Sequence, residues 1–163
     1  MTQNDPVIVM ETTKGTIKVQ LFLSDVAKTA GNFLDLVNRE FYNGLVFHRY
    51  EPGFCIQGGD PKGTGTGGFV DPATGRERTI PLEVDAKNPR LKHDSAGVLA
   101  MARSDNPNSA SSQFYFTLGP ANFLDNNYAV FGKVQDKDSL NVVMQLRKGD
   151  KMTKVFALNP ATK

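Results

Sequence analysis

The chain has 163 residues and a mass of 17.8 kDa, enough for one domain with a core of its own. Hydrophobic residues make up 39% and charged residues 22%, which argues against both a disordered chain and a membrane protein. The 19 basic and 17 acidic side chains are interspersed and leave a net charge of +2, so neither nucleic acid nor an anionic membrane is an expected partner. Residues 1–6 are polar, and no basic segment leads into an apolar leader. No apolar stretch approaches the roughly eighteen residues of a membrane span, and a soluble protein of the cytoplasm is expected.

In chain order, residues 7–12 and 16–22 are rich in β-branched side chains and flank Lys14-Gly15, which predicts an antiparallel hairpin. The period then changes. Ala30, Phe33, Leu34 and Val37 fall at i, i+3, i+4 and i+7, a one-sided helix ending near Asn38, with Asp25 or Thr29 as its cap. Residues 45–48 and 54–57 form two short apolar runs around Pro52-Gly53, and they place Arg49, Phe54 and Gln57 close together in sequence. Aromatics of this kind can wall a small cleft, with arginine and amide orienting what enters.

Residues 58–68 are glycine-dense and cannot form a regular element. They resemble a phosphate-binding loop only superficially, because the Gly-Lys-Ser/Thr ending and a following helix are both missing. Residues 69–94 are polar and turn-rich and are expected to wrap the surface. A small-residue strand follows at 97–102, and then a polar loop at 104–112. Residues 113–118 alternate, with Phe114, Phe116 and Leu118 on one face and Gln113, Tyr115 and Thr117 on the other. The loop 119–128 carries the apolar pair Phe123-Leu124. Residues 129–134 read as a strand, Asp138-Ser139 caps a helix bearing Leu140, Val143 and Leu146, and a last strand runs over about 152–158.

About eight strands with two helices must hide their sheet edges, and closure into a barrel does so. The expected fold is all-β: a closed eight-stranded antiparallel β-barrel capped by two α-helices, in a single domain over residues 1–163.

Conventional catalytic groups are few. No serine or cysteine has a histidine and an acid at a spacing that suggests a triad. Cys55 sits in an apolar strand and reads as a small buried hydrophobe. It excludes an internal disulfide, and His48, Cys55 and His93 lack metal-site spacing, so no metal or other cofactor is expected. An arginine, two glutamines and several aromatics remain, a set suited to gripping an apolar group and hydrogen-bonding a backbone.

Phe47-His48-Arg49, Pro52-Gly53-Phe54 and Ile56-Gln57-Gly58-Gly59-Asp60 resemble the signature of the cyclophilins, peptidyl-prolyl cis/trans isomerases. Met101-Ala102, Ser112-Gln113-Phe114, Phe123-Leu124-Asp125 and Val130-Phe131-Gly132-Lys133-Val134 match further family blocks in the same order. The resemblance implies catalysis of rotation about Xaa-Pro bonds, with Arg49 as the essential arginine, Phe54 as the floor of the proline pocket and Gln57 holding the peptide. It further implies substrate contacts at Cys55, Ala102, Gln113, Tyr115, Phe123, Leu124 and Tyr128, at Gly65 of the glycine-rich segment, and at Arg103 and Ser104 beyond Ala102. Cys55 stands where the family often has methionine, Phe123 where many members have tryptophan, and Tyr128 where histidine is common. Such substitutions resemble prokaryotic members. The implied partners are proline-containing peptides and unfolded or folding proteins, with reduced affinity for cyclosporin-type cyclic peptides because phenylalanine cannot donate the indole hydrogen bond. A proline-recognition module that binds without turnover is the alternative.

Overall fold

The computed structural model describes residues 5–65 and 67–158. Residues 1–4, Thr66 and 159–163, which the single-domain reading includes, lie outside the described residues. The first hairpin is as expected: β1 (Val7–Thr12) and β2 (Gly15–Leu21) pair antiparallel through a turn that ends at Gly15, whose φ is 135°. Helix α1 (Ala27–Asn38) follows, then β3 (Phe47–Glu51) and β4 (Cys55–Gly58). The short ribbon β5 (Val70–Asp71) and β6 (Arg76–Glu77) stands apart from β7 (Val98–Met101), β8 (Phe114–Thr117), β9 (Val130–Val134), helix α2 (Lys137–Gln145) and β10 (Met152–Leu158).

Eight strands form one antiparallel sheet in the order β10-β1-β2-β9-β7-β8-β4-β3. The expected closed barrel is corrected here: the sheet is open and strongly curled, a half-barrel whose edge strands β3 and β10 are not laddered together. They touch through the isolated bridge Val46–Lys151 and a few backbone bonds, among them Phe47 N–H to Asp150 O at 2.8 Å. Strand β3 is short and its register shifts between Phe47 and Arg49, so the edge twists away before a ladder can extend.

The interior is filled from both sides. Ile8, Met10, Ile17, Val19 and Leu21 of the first hairpin are buried beside Leu99, Phe114 and Phe116. Helix α1 contributes Phe33, whose ring lies 5.0 Å from Tyr42, 5.5 Å from Phe114 and 5.0 Å from Phe131. Neither expected cap of α1 is used. The Glu83 carboxylate accepts from the backbone N–H groups of Lys28 (3.2 Å) and Thr29 (2.5 Å), satisfying donors that a local side chain was expected to serve. Helix α2 is capped by Asp136 rather than Asp138-Ser139: Asp136 accepts from Ser139 N–H at 2.8 Å. The Ser139 hydroxyl is thereby free to accept from Lys18 N–H at 2.8 Å, tying α2 to β2.

The turn-rich segment 69–94 does more than cover the surface. Phe69, Ile80, Leu91 and His93 are buried, and the guanidinium groups of Arg78 and Arg39 lie 4.7 and 5.4 Å from the Phe69 ring. Four inward anchors spaced among polar residues present no period, which is why they read as a loop.

Candidate active site

The strand register builds the site. Arg49 on β3 stands opposite Gln57 on β4, Gln57 opposite Tyr115 on β8, and Tyr115 opposite Ala100 on β7. Directly opposed residues share a face, so these four form one row across the outside of the sheet. The neighbouring row, Ile56, Phe116 and Leu99, points into the core. Between β3 and β4 the chain turns at Glu51-Pro52-Gly53-Phe54, with Phe54 N–H donating to Glu51 O at 2.9 Å and Gly53 at φ 73°. Proline second and a left-handed glycine third are the requirements of a type II turn. This turn sets Phe54 beside the row.

A cavity of about 230 Å³ opens there, lined by Arg49, Phe54, Cys55, Gln57 and Ala102, and on its other side by Arg103, Tyr115, Leu124 and Tyr128. The Arg49 guanidinium carbon lies 5.8 Å from the Phe54 ring centroid, and the side chain is 46% exposed at the cavity mouth. Its Nη1 donates to Gln57 Oε1 at 3.3 Å, and its Nε is 3.6 Å from Glu51 Oε2. Gln57 Nε2 donates in turn to Gln113 Oε1 at 2.9 Å, and Gln113 Nε2 to Gly67 O at 2.8 Å. Both amides are thus fixed in orientation, with the Gln57 oxygen turned toward the arginine.

Phe123 does not line this cavity. It lies on the 3-10 turn Asn122–Leu124, 72% exposed, and stacks on Phe54 at 5.7 Å. Arg103 braces its own loop: the guanidinium lies 4.6 Å from the Tyr128 ring, Nε donates to Asn127 O at 2.8 Å and Nη1 to Ser104 O at 2.9 Å. Burial pushes the Cys55 thiol above its usual pKa, so it remains a neutral, space-filling group.

Gly65, Ser104 and Gln113 line a second cavity of about 390 Å³, which shares Gln57, Ala102 and Arg103 with the first. Glu77, Thr79 and Ser109 also face it. Nothing in the sequence marked these three, because they come from segments whose return to the sheet has no local signature. His48 sits at the irregularity in β3. Its Nδ1 is buried without a partner among the described residues, and burial lowers its pKa.

Asp60 holds the glycine-rich loop beside these cavities. Burial alone would raise its pKa, but backbone N–H groups of Lys62, Gly67, Gly65 and Thr64 outweigh that and bring it down to about 2. A carboxyl depressed from 3.8 to about 2 contributes stability that is present above the unfolded value and lost as pH falls through the folded one. At about 1.4 kcal/mol per pKa unit, Asp60→Ala is expected to cost about 2 kcal/mol at pH 7. The deficit relative to wild type should shrink between about pH 4 and pH 2, as urea denaturation across that range would show.

Among the described residues no group of His, Cys, Asp or Glu is placed to hold a metal ion, and no helix is long and apolar enough to cross a membrane.

Comparison with known proteins adds a further finding. The family model for cyclophilin type peptidyl-prolyl cis-trans isomerases matches residues 7–161. A peptidyl-prolyl cis-trans isomerase of Synechococcus elongatus is 44% identical over 153 residues, which cover 94% of this chain and 97% of that protein. A peptidyl-prolyl cis-trans isomerase-like 1 of Rhizopus delemar is 40% identical over 151 residues, covering 91% and 86%. The crystal structure of a Cryptosporidium parvum cyclophilin type isomerase in the presence of the dipeptide Ala-Pro superposes with a TM-score of 0.80 at 32% identity, covering 94% of this chain and 99% of that one.

Proposed function

The chain belongs to the cyclophilin family of peptidyl-prolyl cis-trans isomerases, and from that premise we propose that Arg49, Phe54 and Gln57 carry the isomerisation in the 230 Å³ cavity. The observation that carries the proposal is the Arg49 guanidinium poised at the mouth of an aromatic hollow, within 5.8 Å of the Phe54 ring.

Rotation about an Xaa-Pro bond is slow because it sacrifices amide resonance. In the twisted state the prolyl nitrogen becomes pyramidal and regains a lone pair. A donor aimed at that nitrogen binds the twisted state more tightly than the planar one, and this difference is what accelerates the reaction. No bond breaks, and no proton changes owner. The guanidinium of an arginine is a charged donor with a planar fork of N–H groups. The contact of Arg49 with Gln57 Oε1 and the amide relay behind it hold the guanidinium in place before substrate arrives.

The Phe54 ring, with Leu124 and the edge of Tyr115, grips the proline ring while the preceding carbonyl turns. Ala102 and Gln57 hold the peptide backbone, and Gly65, Arg103, Ser104 and Gln113 extend the contact surface toward the second cavity. Substrates are accordingly proline-containing peptides and folding or mature proteins, handled by one domain in the cytoplasm. The one thiol in the lining, Cys55, is held neutral by burial, which fits a reaction that needs no nucleophile.

Two-dimensional NMR exchange on a short Ala-Pro peptide tests the assignment. Cis/trans exchange accelerated by substoichiometric protein supports it. Peptide binding without acceleration would instead make the chain a recognition module.

Cyclosporin-type ligands probe the exposed Phe123. Phenylalanine offers no hydrogen-bond donor where an indole would offer one, so the wild type should bind such cyclic peptides weakly. Phe123→Trp restores a donor, and a neutral hydrogen bond worth about 0.5–1.5 kcal/mol should tighten binding by about two- to tenfold. Calorimetry showing no gain would count against a contact at this position.

A further inference from the structure

Tyr115 lines the proline cavity, while its hydroxyl is engaged by a residue outside that lining. That residue is His93, which is 0% exposed and comes from the segment before β7. Tyr115 OH lies 2.8 Å from His93 Nε2, the two rings are nearly parallel at 6.0 Å, and His93 Nδ1 lies 2.8 Å from Asp125 Oδ1. The same carboxylate oxygen accepts from His93 N–H at 2.7 Å, and its other oxygen accepts from Asn122 Nδ2 at 3.0 Å. Ala121 N–H closes the arrangement by donating to His93 O at 2.7 Å. His93 therefore ties β8 to the turn that carries Phe123 and Leu124, two elements that reach the proline cavity from different sides.

With the ring neutral, the contacts leave one arrangement of protons. A carboxylate can only accept, so Nδ1 carries the hydrogen, and the neutral ring then offers its Nε2 lone pair to the Tyr115 hydroxyl. Burial keeps His93 below its usual pKa although Asp125 pulls the other way, in keeping with a neutral ring. Each donor in the chain has one acceptor, and the Tyr115 side chain cannot swing aside or withdraw without breaking it.

We propose that His93 and Asp125 are positioning residues for the isomerisation: the chain Asp125–His93–Tyr115 fixes the Tyr115 ring in the wall of the proline cavity and sets its distance from the Phe123-Leu124 turn. The inference rests on the cavity being the site of isomerisation. The hydroxyl acts at one remove, through the ring it holds.

The test uses Tyr115→Phe, which keeps the ring and removes only the hydroxyl, together with His93→Gln and the double variant. Each is measured by NMR exchange with a short Ala-Pro peptide, which reads affinity and exchange rate separately, and by melting temperature. A role confined to folding would lower the melting temperature and leave the folded protein's kinetics unchanged. The expected result is at least a threefold fall in exchange efficiency (rate over affinity constant) for folded Tyr115→Phe. His93→Gln should fall in the same direction, and the double variant should be no worse than the worse single one, because the groups act as a unit. The wild-type His93 ring should show a bare Nε2 by 15N NMR, with a signal that shifts when peptide is added. Unchanged efficiency in folded Tyr115→Phe, or single effects that multiply in the double variant, would overturn the proposal. Should His93→Gln fail to fold, Tyr115→Phe decides alone. Arg49→Ala in the same series separates the two readings: exchange lost there but intact in Tyr115→Phe defeats only the positioning role, whereas exchange intact in both defeats the site.

Discussion

Arg49→Ala is expected to slow catalysed Xaa-Pro exchange by about one to two powers of ten. A hydrogen bond from a charged donor is worth about 1.5–3 kcal/mol, and each 1.36 kcal/mol off the barrier is about tenfold in rate. The guanidinium stands at the cavity mouth rather than in the core, so its removal opens no void and the fold should survive. Arg49→Lys keeps the charge and loses the planar fork that meets Gln57 Oε1, and should fall between wild type and alanine. Line-shape or exchange spectroscopy on one peptide with all three proteins gives the ratio. An alanine variant within twofold of wild type would remove Arg49 from the mechanism.

The largest effect on stability is expected at Phe33. Its ring is fully buried and touches Tyr42, Phe114 and Phe131, so it joins α1 to the inner face of the curled sheet at two separate strands. Truncation removes the transfer free energy and leaves a hole that three rigid rings cannot collapse into. Phe33→Ala should therefore cost about 3–5 kcal/mol, a large part of the roughly 5–15 kcal/mol available to a domain. Phe33→Leu, which fills most of the space, should cost about 1–2 kcal/mol. Urea denaturation midpoints measure both, and an alanine variant within about 1 kcal/mol of wild type would mean that α1 is not anchored through this ring.

What could be read from the sequence was whatever repeats locally. The alternation at 113–118 correctly separates Phe114 and Phe116, which face the core, from Gln113 and Tyr115, which face the cavities. Of the expected stripe Ala30, Phe33, Leu34 and Val37, three are buried, whereas Leu34 is only partly so and Leu36 takes its place on the inner face of α1. Thirteen residues named from the family resemblance, from Arg49 to Tyr128, do converge: nine line the proline cavity, Gly65, Ser104 and Gln113 the adjoining one, and Phe123 stacks on Phe54.

The rest was hidden because it depends on distant partners. Glu83 caps α1 from 54 residues beyond Thr29, and no local pattern could prefer it to Asp25. Barrel closure was inferred from the need to hide edges, but the bulge in β3 leaves Val46–Lys151 as a lone bridge instead of a ladder. His93 and Asp125, 32 residues apart, each look ordinary until the fold brings them to Tyr115. A buried histidine has no periodic signature of its own.

The central claim is that Arg49 favours the twisted amide over the planar one. Its most direct test measures, in one set of NMR experiments, the peptide dissociation constant and the bound-state exchange rate for wild type and Arg49→Ala. The predicted result is an affinity within about threefold of wild type and an exchange rate lower by about one to two powers of ten, as expected when a group acts only on the barrier. An affinity that falls as far as the overall efficiency, with the bound-state exchange rate unchanged, would contradict it.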